Sequence, residues 1–239
     1  WDDLSELYLS QGRVNQLVDV LGSTADRLQN VEHRVELYRR VANLCRDKIG
    51  QPERALKALE RTLAIQPDNL DVARELVPIY REQGNWARLM STYEVLVDAE
   101  ADGTKKLELM GSLQQVAREN LNSPALTFQW AAKAYELSPG EEPLRTSLEQ
   151  AAEDSDAWDD LTRLFEARIA DESVDQEERL LLLDKLAVIA RDKLFKPDDA
   201  QRYFRRIIEI DPTNGQSMSA LEGIYTSTRR WDDLSEVYR

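Results

Sequence analysis

Three arginines, Arg46, Arg118 and Arg191, stand 72 and 73 residues apart. A guanidinium offers its N–H groups as a planar fork that matches a carboxylate through two parallel hydrogen bonds. A regular row of them is therefore chemistry for gripping an acidic segment or a C-terminal carboxylate. Each of the three is followed directly by an acid, Asp47, Glu119 or Asp192, and Glu36 and Glu108 lie ten residues before the first two. The competing use of the row is intramolecular ion pairing between neighbouring helices.

Little else in the chain points to chemistry. His33 is the one histidine and has no second His or Cys at metal-ligand spacing, so it is read as exposed or capping. Cys45 is the one cysteine and shares its place in the pattern with Ala117 and Ala190, which marks it as a structural thiol without a base beside it. The acid pairs Asp159-Asp160, Asp232-Asp233, Glu177-Glu178 and Asp198-Asp199 open helices, where carboxylates complement the helix dipole. No phosphate-cradling glycine motif or nucleophile elbow is present. The expectation is a non-enzyme with no catalytic residue, no metal site and no cofactor.

Composition sets bounds on the partner. The 239 residues carry a net charge of −14, which disfavours broad binding to nucleic acid or an anionic membrane and leaves room for a local basic patch. A lone cysteine permits no intrachain disulfide and fits the cytoplasm, with the periplasm left open. No run approaches the length of a membrane span. The chain opens at Trp1 and ends just after the patterned segment Trp231–Tyr238, so both ends read as cut from something longer.

The elements that position these residues repeat. Pro52, Pro124 and Pro197 share the 72 and 73 steps with Pro67, Pro139 and Pro212 and with Trp86, Trp158 and Trp231. Each long period divides in two. In one half, Leu37, Val41, Leu44 and Cys45 line a helix, a turn follows, and Pro52 opens a second helix where its missing N–H costs nothing. In the other, Leu76, Ile79 and Tyr80 line a helix that ends at Gly84, and Trp86, Leu89, Tyr93 and Leu96 line the next. About fourteen helices are expected, with Pro78 bending one of them. The repeating Trp residues are read as packing anchors costing about 3–5 kcal/mol each if cut to Ala, and Trp130, outside their series, as core.

The segment Trp1-x2-Leu4-Ser5-x2-Tyr8 resembles the tetratricopeptide repeat pattern, and Ala55, Leu59, Pro67 and Ala200, Phe204, Pro212 resemble its second helix. The alternating Trp-Asp-Asp-Leu variant is similar to long arrays in large bacterial proteins. The resemblance covers essentially the whole chain. It implies an all-α superhelical solenoid of about seven helix-turn-helix repeats, at 1–32, 33–69, 70–104, 105–141, 142–176, 177–214 and 215–239. It also implies a protein-binding scaffold whose first helices line a concave groove for a partner peptide or helix. A regulatory or substrate-docking array of a larger enzyme is the alternative, and a nucleic-acid-binding repeat ranks below both. By this alignment Arg39, Asn43, Arg46, Arg74, Arg81, Arg118 and Arg191 face the groove. Arg39, Asn43 and Arg74 partly resemble the family's carboxylate clamp, with Glu75 standing where an amide belongs.

Overall fold

The computed structural model describes residues 1–237, so Tyr238 and the side chain of Leu234 lie outside the described residues. Fourteen α-helices and no strand are found among them. Within each unit they pair into hairpins: α1 (Asp2–Ser10) with α2 (Val14–Arg27), α3 (Val31–Leu44) with α4 (Pro52–Ile65), and α5 (Leu70–Glu82) with α6 (Trp86–Ala99), after which α7 (Gly103–Glu119) ends the first unit and α8 (Pro124–Leu137) opens the second. Then come α9 (Glu142–Ser155) with α10 (Trp158–Ala170), α11 (Gln176–Asp192) with α12 (Pro197–Ile210), and α13 (Gly215–Thr228) with α14 (Trp231–Val237). The chain divides into two compact units, residues 1–122 with α1–α7 and residues 123–239 with α8–α14.

Local chemistry explains where helices start and stop. Pro52, Pro124 and Pro197 each occupy the first turn of their helix. Asn30, Asn69, Asn85, Asp102, Asp175 and Asn214 cap helices by accepting a backbone N–H. Such a cap satisfies one of the donors a helix start leaves orphaned. Pro78 lies inside α5, which runs on unbroken to Glu82.

The turns hold a second periodicity. Among the described residues seven have left-handed backbone, each in the turn that follows a first helix: Gly12, Gly50, Gly84, Asn122, Asp156, Phe195 and Arg229. They form two series with the 72–73 step. After Gly12, Gly84, Asp156 and Arg229, the next N–H reaches back five residues to close the helix, as from Asn85 to the Tyr80 carbonyl at 2.9 Å. In the other series the helix widens first. Residues Cys45–Ile49 form a π-helical turn, and Leu121 and Leu194 donate to the carbonyls of Val116 and Ile189 five residues back. A wide turn absorbs an extra residue, which is how the longer repeats carry theirs.

Small residues sit where helices meet. Ala42, Ala55, Ala187 and Ala200 are buried. In the second unit one core runs through Leu148, Leu161, Phe165, Leu186, Phe204 and Leu221. Ion pairs tie successive hairpins together within each unit, Arg54 to Asp19 (2.5 Å) and Arg61 to Asp26 (3.1 Å) in the first, Lys196 to Asp159 (2.7 Å) and Arg202 to Glu166 (3.3 Å) in the second.

The tryptophans correct one expectation. Trp86 and Trp158 are half-buried, while Trp1 and Trp231 are 45% and 57% exposed. Trp86, Trp158 and Trp231 each start a second helix, at the end of a hairpin. The Trp86 ring lies beside Gly84 of its own hairpin, about 3.8 Å from where a Cβ would stand, and Trp158 is also approached by a later turn. That approach comes from Lys193 of the α11–α12 turn, whose ammonium lies 4.6 Å from the ring centroid. Trp130, in the middle of α8, is 4% exposed and is core.

Candidate functional site

In the first unit, α3, its wide turn and α5 bring three of the expected residues together. Arg39 donates from Nη2 to Oε1 of Glu75 at 3.2 Å, and Arg46 donates from Nη1 to Oε2 of the same carboxylate at 3.2 Å. Arg46 also donates to Asn43 at 2.9 Å and to Asp47 at 3.0 Å. The Asp47 bond, followed by that of Glu75, pushes the Arg46 pKa up. Two guanidinium groups thus converge on one carboxylate that comes from the neighbouring first helix. Both arginines keep open surface, with side chains 40% and 51% exposed.

The other four expected residues stand apart from this cluster. Arg74 pairs loosely with Asp71 at 3.6 Å on its own helix. It lines a cleft of about 320 Å³ between α5, α6 and α7, where the acids Glu100 and Glu108 match the cations Arg74 and Lys105 around Tyr93, Leu96 and Leu109. Arg81 turns to its hairpin partner and donates to the Tyr93 hydroxyl at 2.5 Å. Arg118 lies 3.7 Å from Glu119, and Arg191 is held by both oxygens of Asp192 at 2.7 and 2.9 Å. The pair holds the Asp192 carboxyl below the usual carboxylate range and raises Arg191. The intramolecular use of the row is therefore what the described side chains display. Of the seven expected residues, Arg39 and Arg46 are the ones whose described ion pairs reach a neighbouring first helix.

The remaining candidates are structural. His33 is exposed, and its backbone N–H donates to the Asn30 side chain at 2.9 Å. Cys45 is fully buried, and burial pushes its thiol pKa up, away from nucleophilic thiolate. The first-turn acids do more than cap. Glu178 of α11 accepts both Nε and Nη2 of Arg168 in α10 at 2.9 and 2.8 Å, with both side chains only 17% exposed. Among the described residues no group of His, Cys, Asp and Glu is set to hold a metal ion, and no helix is long and apolar enough to cross a membrane.

Helical hairpins with small residues at their crossings, one left-handed residue per turn and proline at alternate second-helix starts define the architecture. The fold is an all-α array of helical hairpins. No family model matches the chain, and no curated protein matches it. Several solved structures similar to it are described as tetratricopeptide repeat proteins. One from Parabacteroides merdae is 14% identical over 93% of this chain and 96% of its own, with a TM-score of 0.37. YrrB, described as a repeat protein with an unusual peptide-binding site, is 18% identical over 78% and 91%, with a TM-score of 0.34. PilF of Pseudomonas aeruginosa is 14% identical over 94% and 95%, with a TM-score of 0.30. At these scores no structural detail transfers from them to this chain.

Proposed function

We propose that this chain is a protein-interaction scaffold and that the first-helix face of its first unit binds an acidic segment or C-terminal carboxylate of a partner. One observation carries the reading: Arg39 and Arg46 already hold a carboxylate between them, that of Glu75. A place where two forks converge on one carboxylate suits another carboxylate equally well. Exposed ion pairs contribute only about 0–1 kcal/mol each, so an incoming acid competes with Glu75 on nearly even terms. The cleft beside Arg74 and Lys105, which Glu100 and Glu108 also line, offers room for a neighbouring uncharged side chain of the same segment.

The test uses an acetylated peptide with four glutamates and a free C-terminus, titrated by calorimetry at low salt. Glu75→Gln removes the internal competitor and tightens binding, whereas Arg39→Ala with Arg46→Ala weakens it about tenfold. Arg118→Glu with Arg191→Glu weakens it less, since these residues stand outside the cluster. Equal affinity in the wild type, the Glu75 variant and the double Arg variant would remove this reading.

A further inference from the structure

The second unit contains a cleft of about 440 Å³ between the first helices α9 and α11. Leu161 and Trp158 of α10 form part of its lining, with Val188 and Ile189 on α11. A cation is already seated there. The Lys193 ammonium lies 4.6 Å from the Trp158 ring centroid and donates to Glu153 at 3.0 Å. An aromatic face with a carboxylate beside it is a place for a positive group.

The cleft has more acceptor capacity than its own cations use. Glu149 accepts from Lys185 through Oε2 at 2.8 Å. Its Oε1 is buried and receives no hydrogen bond, the Arg145 Nε standing 3.8 Å away. Asp184, also lining the cleft, is half-buried and makes no hydrogen bond with a described residue, its charge acting on Arg191 only through space. A carboxylate only weakly filled by its own cations gains from a multidentate donor entering the cleft. Guanidinium suits these demands better than ammonium, because its planar fork reaches two carboxylates and its flat face stacks on indole.

We propose that this cleft is a docking site for the arginine side chain of a basic segment in a partner protein, with Trp158 as its platform and Glu149, Glu153 and Asp184 as its acceptors. Lys193 occupies the place as an internal stand-in that the incoming arginine displaces. This site is separate from the acidic-segment site of the first unit and of opposite charge preference.

The probe is the capped pentapeptide Gly-Ala-Arg-Ala-Gly, with a twin bearing neutral citrulline in place of arginine. Binding is read from the indole N–H resonance of Trp158, assigned with Trp158→Phe. The arginine peptide is expected to shift that resonance and the citrulline twin is not. Glu149→Gln with Asp184→Asn is expected to weaken binding about tenfold. Glu32→Gln with Asp68→Asn, an equal charge change in the first unit, leaves it unchanged. Lys193→Met vacates the seat and is expected to tighten binding about twofold to fivefold, and it decides the question alone if the double acid variant fails to fold. Equal binding of the two peptides, equal weakening by the remote acid variant, or no gain from Lys193→Met overturns the proposal.

Discussion

Glu60 and Arg205 occupy the same place in two copies of the long repeat, 145 residues apart (60 to 205), and carry opposite charge. Each bonds the tyrosine hydroxyl twenty residues further on. Tyr80 donates to Glu60 at 3.0 Å, and Arg205 donates to Tyr225 at 2.6 Å. The partners on the following second helices are reversed to match, Arg88 at 3.5 Å from Glu60 and Asp233 at 3.1 Å from Arg205. One geometry is thus built twice with the signs exchanged. Glu60→Arg alone should lower stability by about 1 kcal/mol, because it faces Arg88 with a like charge. Adding Arg88→Asp should recover most of the loss. Urea unfolding of the four members of this cycle checks the coupling, and additive effects would count against it.

The left-handed position of the wide turns is filled by Gly50, by Asn122 and by Phe195, with φ of 67°, 47° and 54°. Glycine takes this conformation freely and asparagine tolerates it, whereas a bulky side chain is strained there. Phe195 is also 80% exposed, so little packing offsets the strain. Phe195→Gly should therefore stabilise the protein by about 1 kcal/mol. A thermal melt that moves down would contradict this account.

Burial ranks the tryptophans against their periodicity. Trp130→Ala should cost about 3–5 kcal/mol, since it opens a cavity among buried side chains. Trp231→Ala should cost under about 1 kcal/mol, as expected for a largely exposed ring. Chemical denaturation of the two single variants compares them directly.

Three tyrosines set the alkaline limit. Tyr80, Tyr135 and Tyr203 are pushed up to about 12, first by burial. Carboxylates add to this, Glu60 beside Tyr80 and Glu166 beside Tyr203. The folded state keeps these phenols neutral, so it binds more protons than the unfolded chain above about pH 10. Their contribution is complete below pH 10 and is lost as pH rises toward 12. Phenolate absorbance and helicity should therefore change together in that window for these residues, with Tyr80→Phe shifting the midpoint upward.

The helices and their pairing were legible because apolar spacing, proline and glycine all keep one period. Gly84 stops α5 as its residue type implies, and Pro52, Pro124 and Pro197 start helices as theirs do. The positions of Arg46, Arg118 and Arg191 were equally legible, but not the partners each selects. Arg39 lies 36 residues before Glu75, and Glu149 lies 36 before Lys185. That distance is close to one repeat, so neighbouring first helices announce their cross-pairs in sequence. Lys193 stands 35 residues after Trp158, so spacing brings this pair together too, but the seating of its ammonium on the ring depends on how the α11–α12 turn folds over the start of α10. The exposure of Trp231 was hidden for a related reason: periodicity reports equivalent positions and is silent on what covers each one.

The wide turns at the ends of α3, α7 and α11 have a consequence for how such a chain varies in length. One residue inserted into an α-helix rotates everything beyond it by about 100°, enough to swing a buried stripe toward solvent. A π-helical turn placed just before the loop takes up that rotation locally, so α4 still presents Ala55 inward. Length and phase are thereby uncoupled, and repeats of unequal size keep a common rotational setting.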